Sequence, residues 1–161
     1  MKNKAIAMIK SSEDYQFNQS ISSEIKKKID TVTTLLKDII VQENINPKDR
    51  AQICLTCSEL YNFVGDKVAE KHHLEMAMTT LSCQPIWSPA RVATINRYII
   101  FLIDEKSYLE AYFLATKTSN TVHDAMFHAY SKGNKLVDAG GPMFQYLQLL
   151  KNAKLAITKF I

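Results

Sequence analysis

From Ile25 onward, apolar residues recur at steps of three and four. Ile25, Ile29, Val32, Leu36 and Ile39 or Ile40 fall on one side of a helix that Ser22 or Ser23 would cap and that fades at Gln42. The stretch "NINPKDRAQ" then sets Asn46 as a cap and Pro47 at the first helical position. Ala51, Cys54, Cys57, Leu60, Tyr61 and Val64 follow on one side up to Gly65. A third helix follows from Asp66 to about Ser82 with Val68, Leu74, Ala77, Met78 and Leu81 apolar, so the Gly65-Asp66 connection predicts an antiparallel hairpin. Ser88 and Pro89 repeat the cap-then-proline signal and open a fourth helix along Val92, Ile95, Ile99, Leu102 and Ile103. Asp104, Glu105 and Lys106 form the next tight turn. The fifth helix carries Tyr108, Leu109, Tyr112, Phe113 and Ala115, and the sixth carries Val122, Ala125, Met126, Ala129 and Tyr130 before a break at Gly133. After "DAGGP", from Asp138 to Pro142, a last helix runs from Met143 through Tyr146, Leu147, Leu150, Ala153 and Ala156 to Phe160. No segment holds the period-two alternation of strands.

The expected fold is therefore all-α, about seven helices in antiparallel hairpins, a short solenoid or bundle. With 161 residues, 47% of them hydrophobic and only four Gly and four Pro, the chain suffices for one domain with a real core. Residues 1–161 are read as a single helical domain, with 1–20 as a candidate flexible N-terminal segment.

Charge changes this picture little. The net +4 comes mostly from the end of the chain, and the one tight basic run, Lys26 to Lys28, is flanked by Glu24 and Asp30 as on an ordinary solvated face. Three cysteines, an odd number in a chain that can bury a core, point to free thiols and a reducing compartment, here the cytoplasm. The opening apolar stretch is broken at Lys10, short of a signal-peptide core. "YIIFLI" at Tyr98 to Ile103 is too short for a bilayer, so neither export nor membrane insertion is expected.

Laid on the first hairpin at a shift of forty residues, the second pairs Leu60 with Ile100, Tyr61 with Phe101, Gly65 with Glu105, Val68 with Tyr108 and Leu74 with Leu114. Over residues 47–137 this arrangement resembles tetratricopeptide-type repeats, with Tyr61, Gly65 and Ala77-Met78 near the family's tyrosine, turn glycine and late alanine-apolar pair. Glu70 departs from it, standing where a small residue is expected. The resemblance implies a concave face that binds a peptide or helix of a partner. The size and hairpin count also look like those of small bacterial chaperones that hold secretion substrates.

The residues that could carry chemistry have plainer uses. Cys54 and Cys57 have redox-pair spacing, but they lie two turns past Pro47, beyond the helix dipole that stabilises a thiolate. They share the phase of Leu60 and Tyr61 and read as small core residues. A zinc set would need Cys54, Cys57, Cys83 and either His72 or His73, with no second close pair. Glu70 and His73 form one E-x-x-H step where a di-iron bundle needs two. Asp124 and His128 make an i,i+4 ion pair. No nucleophile elbow or phosphate loop is present. No enzyme, cofactor or metal is expected.

The expected function is protein binding, as an adaptor, chaperone or assembly subunit, with self-association a further option. Trp87, Tyr98, Tyr108, Tyr112 and Tyr130 are the aromatics chosen as its contact surface, though each also suits a core. The rival is a small basic nucleic-acid-binding regulator, using Arg91 and Arg97 or Lys151, Lys154 and Lys159.

Overall fold

The computed structural model describes residues 13–42, 44–132 and 141–161, and among these every regular element is an α-helix. The helices are α1 (Glu13–Ile40), α2 (Pro47–Phe63), α3 (Lys67–Thr80), α4 (Pro89–Asp104), α5 (Tyr108–Ser131) and α6 (Pro142–Ile157). Residues 1–12, the break expected at Gly133 and Asp138 to Gly140 of the linker lie outside the described residues.

The caps form as the sequence predicts. Asn46 Oδ1 accepts from Asp49 N at 2.9 Å, and Ser88 Oγ from Arg91 N at 3.4 Å, each satisfying an amide that the first helical turn leaves bare. Pro47 and Pro89 follow them, where the missing N–H costs nothing. At the other end of α2, Gly65 takes φ +76°, letting Asp66 N reach back to Tyr61 O at 3.0 Å and Gly65 N to Asn62 O at 3.1 Å. The chain reverses in three residues, and α2 and α3 pack as a hairpin.

The α4–α5 turn repeats this geometry one residue later than the forty-residue alignment expects. Lys106, not Glu105, is the left-handed residue, at φ 58°, and Ser107 N and Lys106 N donate to Leu102 O and Ile103 O at 2.8 and 2.9 Å. The turns are thus 41 residues apart, 65 to 106. At that offset burial repeats as well: Cys54 matches Ile95, Cys57 Tyr98, Ser58 Ile99, Tyr61 Leu102, Glu70 Ala111, Leu74 Ala115, Ala77 Thr118 and Leu81 Val122, and every one of these is buried. Backbone geometry sets the register, whereas the forty-residue match follows the large apolar residues.

Two other expectations are corrected. The expected fifth and sixth helices are one, α5, giving six helices among the described residues rather than about seven. No Gly or Pro interrupts Tyr108 to Ser131, and the polar stretch from Thr116 to Thr121 sits within the helix. Thr118 and Thr121 donate to the carbonyls of Leu114 and Lys117 at 2.8 and 3.0 Å. Likewise α1 begins at Glu13, so residues 13–20 are helical and Ser22 and Ser23 are interior. A capping residue stops nothing unless the chain before it departs from helical geometry.

The main helix contacts join consecutive helices, so the chain is a row of hairpins. Its principal core gathers Leu74 of α3, Ile95, Ile99 and Leu102 of α4, Ala111, Ala115 and Val122 of α5, and Tyr146, Leu150 and Ile157 of α6. A smaller cluster of Ile40, Ala51, Cys54, Ala77 and Leu81 ties α1 and α2 to α3. Cys54 and Cys57 are fully buried and unbridged, and burial pushes the Cys54 thiol up to about 11. Iodoacetamide at pH 8 is therefore expected to label only Cys83 in the folded protein, and all three cysteines after unfolding. Replacing Cys54 and Cys57 together by alanine should cost about 1–2 kcal/mol in chemical denaturation through lost packing.

Candidate partner-binding surfaces

The five aromatics chosen from sequence do not form one surface. Tyr98 is only 6% exposed, donates its hydroxyl to Glu75 Oε1 at 2.8 Å and lies near parallel to Phe101, so it locks α4 to α3. Burial, and then the bond to Glu75, pushes its pKa up. Trp87, Tyr108 and Tyr112 are partly buried against the principal core. Tyr108 stacks on Phe160 with centroids 4.9 Å apart, and Tyr112 lies under the Lys154 ammonium at 5.5 Å. Tyr130 alone stands well out in solvent.

The apolar side chains left in water are a different set. Val68 on α3 is 83% exposed, and Leu109 and Phe113 on α5 are 57% and 63% exposed. In the 41-residue register Leu109 is the counterpart of Val68, and Phe113 of His72. The second helix of each hairpin therefore turns the same face outward, and Lys71 Nζ to Glu110 Oε1 at 3.5 Å bridges α3 to α5. Sequence periodicity contains this face, since Val68, Leu109 and Phe113 all belong to predicted stripes, but it assigns them to the core.

Two cavities meet on the outer face of α3. One, of about 720 Å³, lies between α3 and the α1–α2 connection, with Ile40, Pro47, Arg50 and Met76 in its wall. The other, of about 570 Å³, lies between α3 and the α4–α5 turn, with Val68, Lys71, Phe101 and Glu105 in its wall. His72 and Glu75 line both, so the two cavities flank one stretch of α3. A third cleft, of about 380 Å³, lies between α5 and α6 and is lined by Asn120, His123, Phe144, Leu147, Lys151 and Lys154.

Beneath the groove is a polar layer absent from the sequence expectations. Glu70, 2% exposed, receives Lys67 Nζ at 3.0 Å and Arg97 Nη2 at 3.3 Å. Thr33 of α1, also buried, shares a 3.0 Å hydrogen bond with Tyr61 Oη. His73 Nδ1 lies 2.8 Å from Ala69 O, an acceptor, so Nδ1 carries the proton and buried Nε2 presents a lone pair with no partner. Burial pushes the His73 pKa down, and Lys37 and His72 add to the shift. Stability from neutral His73 is then present above the ordinary histidine range and is lost as pH falls through about 6.5 toward the lower folded value. The melting temperature should drop between pH 7 and 5, and His73→Phe should flatten that part of the profile. An unchanged slope in the variant would show that His73 carries none of it.

Arg97 is engaged with Glu70, while Arg91 Nη1 donates to Ser82 O and Gln84 O, fastening the loop before α4. Both guanidinium groups named as nucleic-acid candidates are committed within the fold. Among the described residues no three His, Cys, Asp or Glu side chains gather where they could hold a metal ion, and no helix is long and apolar enough to cross a membrane. No protein-family model matches the sequence, and no curated protein matches it either.

Proposed function

We propose that this chain is a protein-interaction module, an adaptor, chaperone or assembly subunit, whose α3–α5 face takes an amphipathic helix or peptide from a partner. The carrying observation is the repeated outward face: Val68 and Leu109 occupy equivalent positions on α3 and α5, helices bridged by Lys71 and Glu110, and both stand in water, Val68 in the wall of a cavity. Single exposed apolar residues are ordinary, but a set that recurs in register on neighbouring elements has the composition of a contact surface. The tetratricopeptide-like reading belongs to the same proposal, since arrays of helical hairpins bind through the face their second or first helices share. Three unbridged thiols suit a cytoplasmic setting. The engagement of Arg91 and Arg97 inside the fold favours protein over nucleic acid as partner.

A photo-crosslinking residue placed at position 68, 109 or 113 in the source cell is expected to trap a discrete, nuclease-resistant protein adduct. The same residue at position 26, on the solvated side of α1, should trap none. Equal, diffuse labelling from all four positions would reject the proposal.

A further inference from the structure

We propose that the α5–α6 cleft is a separate docking site for an acidic amphipathic segment of a protein partner. This rests on the reading of the chain as a protein-binding module but concerns a face other than the α3 groove. Phe144 and Leu147 supply an apolar floor; Lys151, Lys154 and His123 supply a basic rim; among the described residues no carboxylate lines the cleft. The asymmetry extends beyond the cleft. Among the described residues from 117 to the end, Lys117, Lys132, Lys151, Lys154 and Lys159 face a single acid, Asp124, which does not line the cleft. Neither Lys151 nor Lys154 makes an ion pair among the described residues, although lysines elsewhere in the fold do: Lys28, Lys67 and Lys71 each hold a glutamate.

Geometry gives the length of the occupant. Phe144 to Lys154 is ten residue steps along α6, about 15 Å of helix axis, which matches two to three turns of a docked helix. Asn120 and Phe127 lie seven residues apart on α5 and so share one face. Asn120 lines the cleft, and Phe127 is 73% exposed. Phe127 thus adds an exposed ring on the side of α5 that borders the cleft. An occupant needs an apolar stripe to cover Phe144, Leu147 and that ring, and carboxylates on its flank to meet Lys151 and Lys154. Pairing across such a rim adds association rate and partner choice more than affinity, and it weakens with salt.

The test is selection of a displayed library of random helical peptides on the intact protein, followed by affinity measurement on the enriched sequences. Enriched peptides should combine an apolar stripe with acidic residues and weaken at least tenfold on Lys151→Glu/Lys154→Glu. They should weaken less on Lys151→Gln/Lys154→Gln and not on Val68→Asp, each variant keeping the wild-type dichroism spectrum. Peptides lost on Val68→Asp but indifferent to the lysine variants would overturn the cleft and leave the α3 groove as the binding site. Failure to enrich any peptide would count against both. A 20-nucleotide single strand that binds more tightly than every selected peptide and is lost on the same lysine variants would replace the acidic segment with nucleic acid.

Discussion

Glu70→Ala is expected to lower the unfolding free energy by about 2 kcal/mol, the largest loss from any change of a charged residue among those described. Its carboxylate is 2% exposed and lies between Lys67 and Arg97 at 3.0 and 3.3 Å. Deleting one member of a buried charge cluster leaves the others without compensation, which costs about 3–5 kcal/mol when they are fully desolvated. Here they are not: Lys67 is 39% and Arg97 31% exposed, and water recovers part of the loss. Lys67 also retains Asn62 Oδ1 at 2.8 Å. Glu70→Gln keeps the shape and an acceptor oxygen and should cost about half as much. Urea unfolding of the two variants measures both. A loss under 0.5 kcal/mol for alanine would mean that the cluster contributes no more than an ordinary surface ion pair.

Glu70 also explains why the two hairpins look less alike in sequence than in structure. At the equivalent position the second hairpin has Ala111, fully buried. The first hairpin fills that space with a carboxylate and brings Arg97 across from α4 to neutralise it. A small residue and a long acid solve the same packing problem, and similarity between letters cannot register that.

The legible parts of this sequence are those decided locally. Asn46-Pro47, Ser88-Pro89 and Gly65 set helix ends through bonds made within a few residues, and each is found where the letters place it. Lys106 is less legible, because a left-handed lysine is tolerated only when tertiary packing holds the turn. Burial of Thr33 and Glu70 has the same cause: Tyr61, which bonds Thr33, and Arg97, which bonds Glu70, lie 28 and 27 residues away. The burial of Tyr98 is hidden from the sequence for a related reason. Tyr98 suits an interface as an isolated residue, but Glu75, one helix earlier, gives its hydroxyl an acceptor inside the fold.

Leu74→Ala is expected to cost about 3 kcal/mol, while Val68→Ala, in the same helix, should change stability by less than about 0.5 kcal/mol. Both residues belong to one apolar pattern in the sequence, six positions apart, and a stripe about 100° wide cannot say which of its edges meets the neighbouring helix. The structure separates them. Leu74 is fully buried in the principal core, at the position equivalent to Ala115 in the repeat register, and its removal leaves a void that α4 and α5 can only partly close. Val68, on the other edge, faces the groove, so truncating it opens no cavity. Partner binding should divide in the opposite sense: Val68→Ala weakens capture by the α3–α5 face, whereas Leu74→Ala leaves it intact wherever the protein remains folded. Denaturation midpoints and crosslinking yields from the two variants give both readouts. Equal stability losses would place Val68 in the core and remove the outward face on which the binding proposal rests.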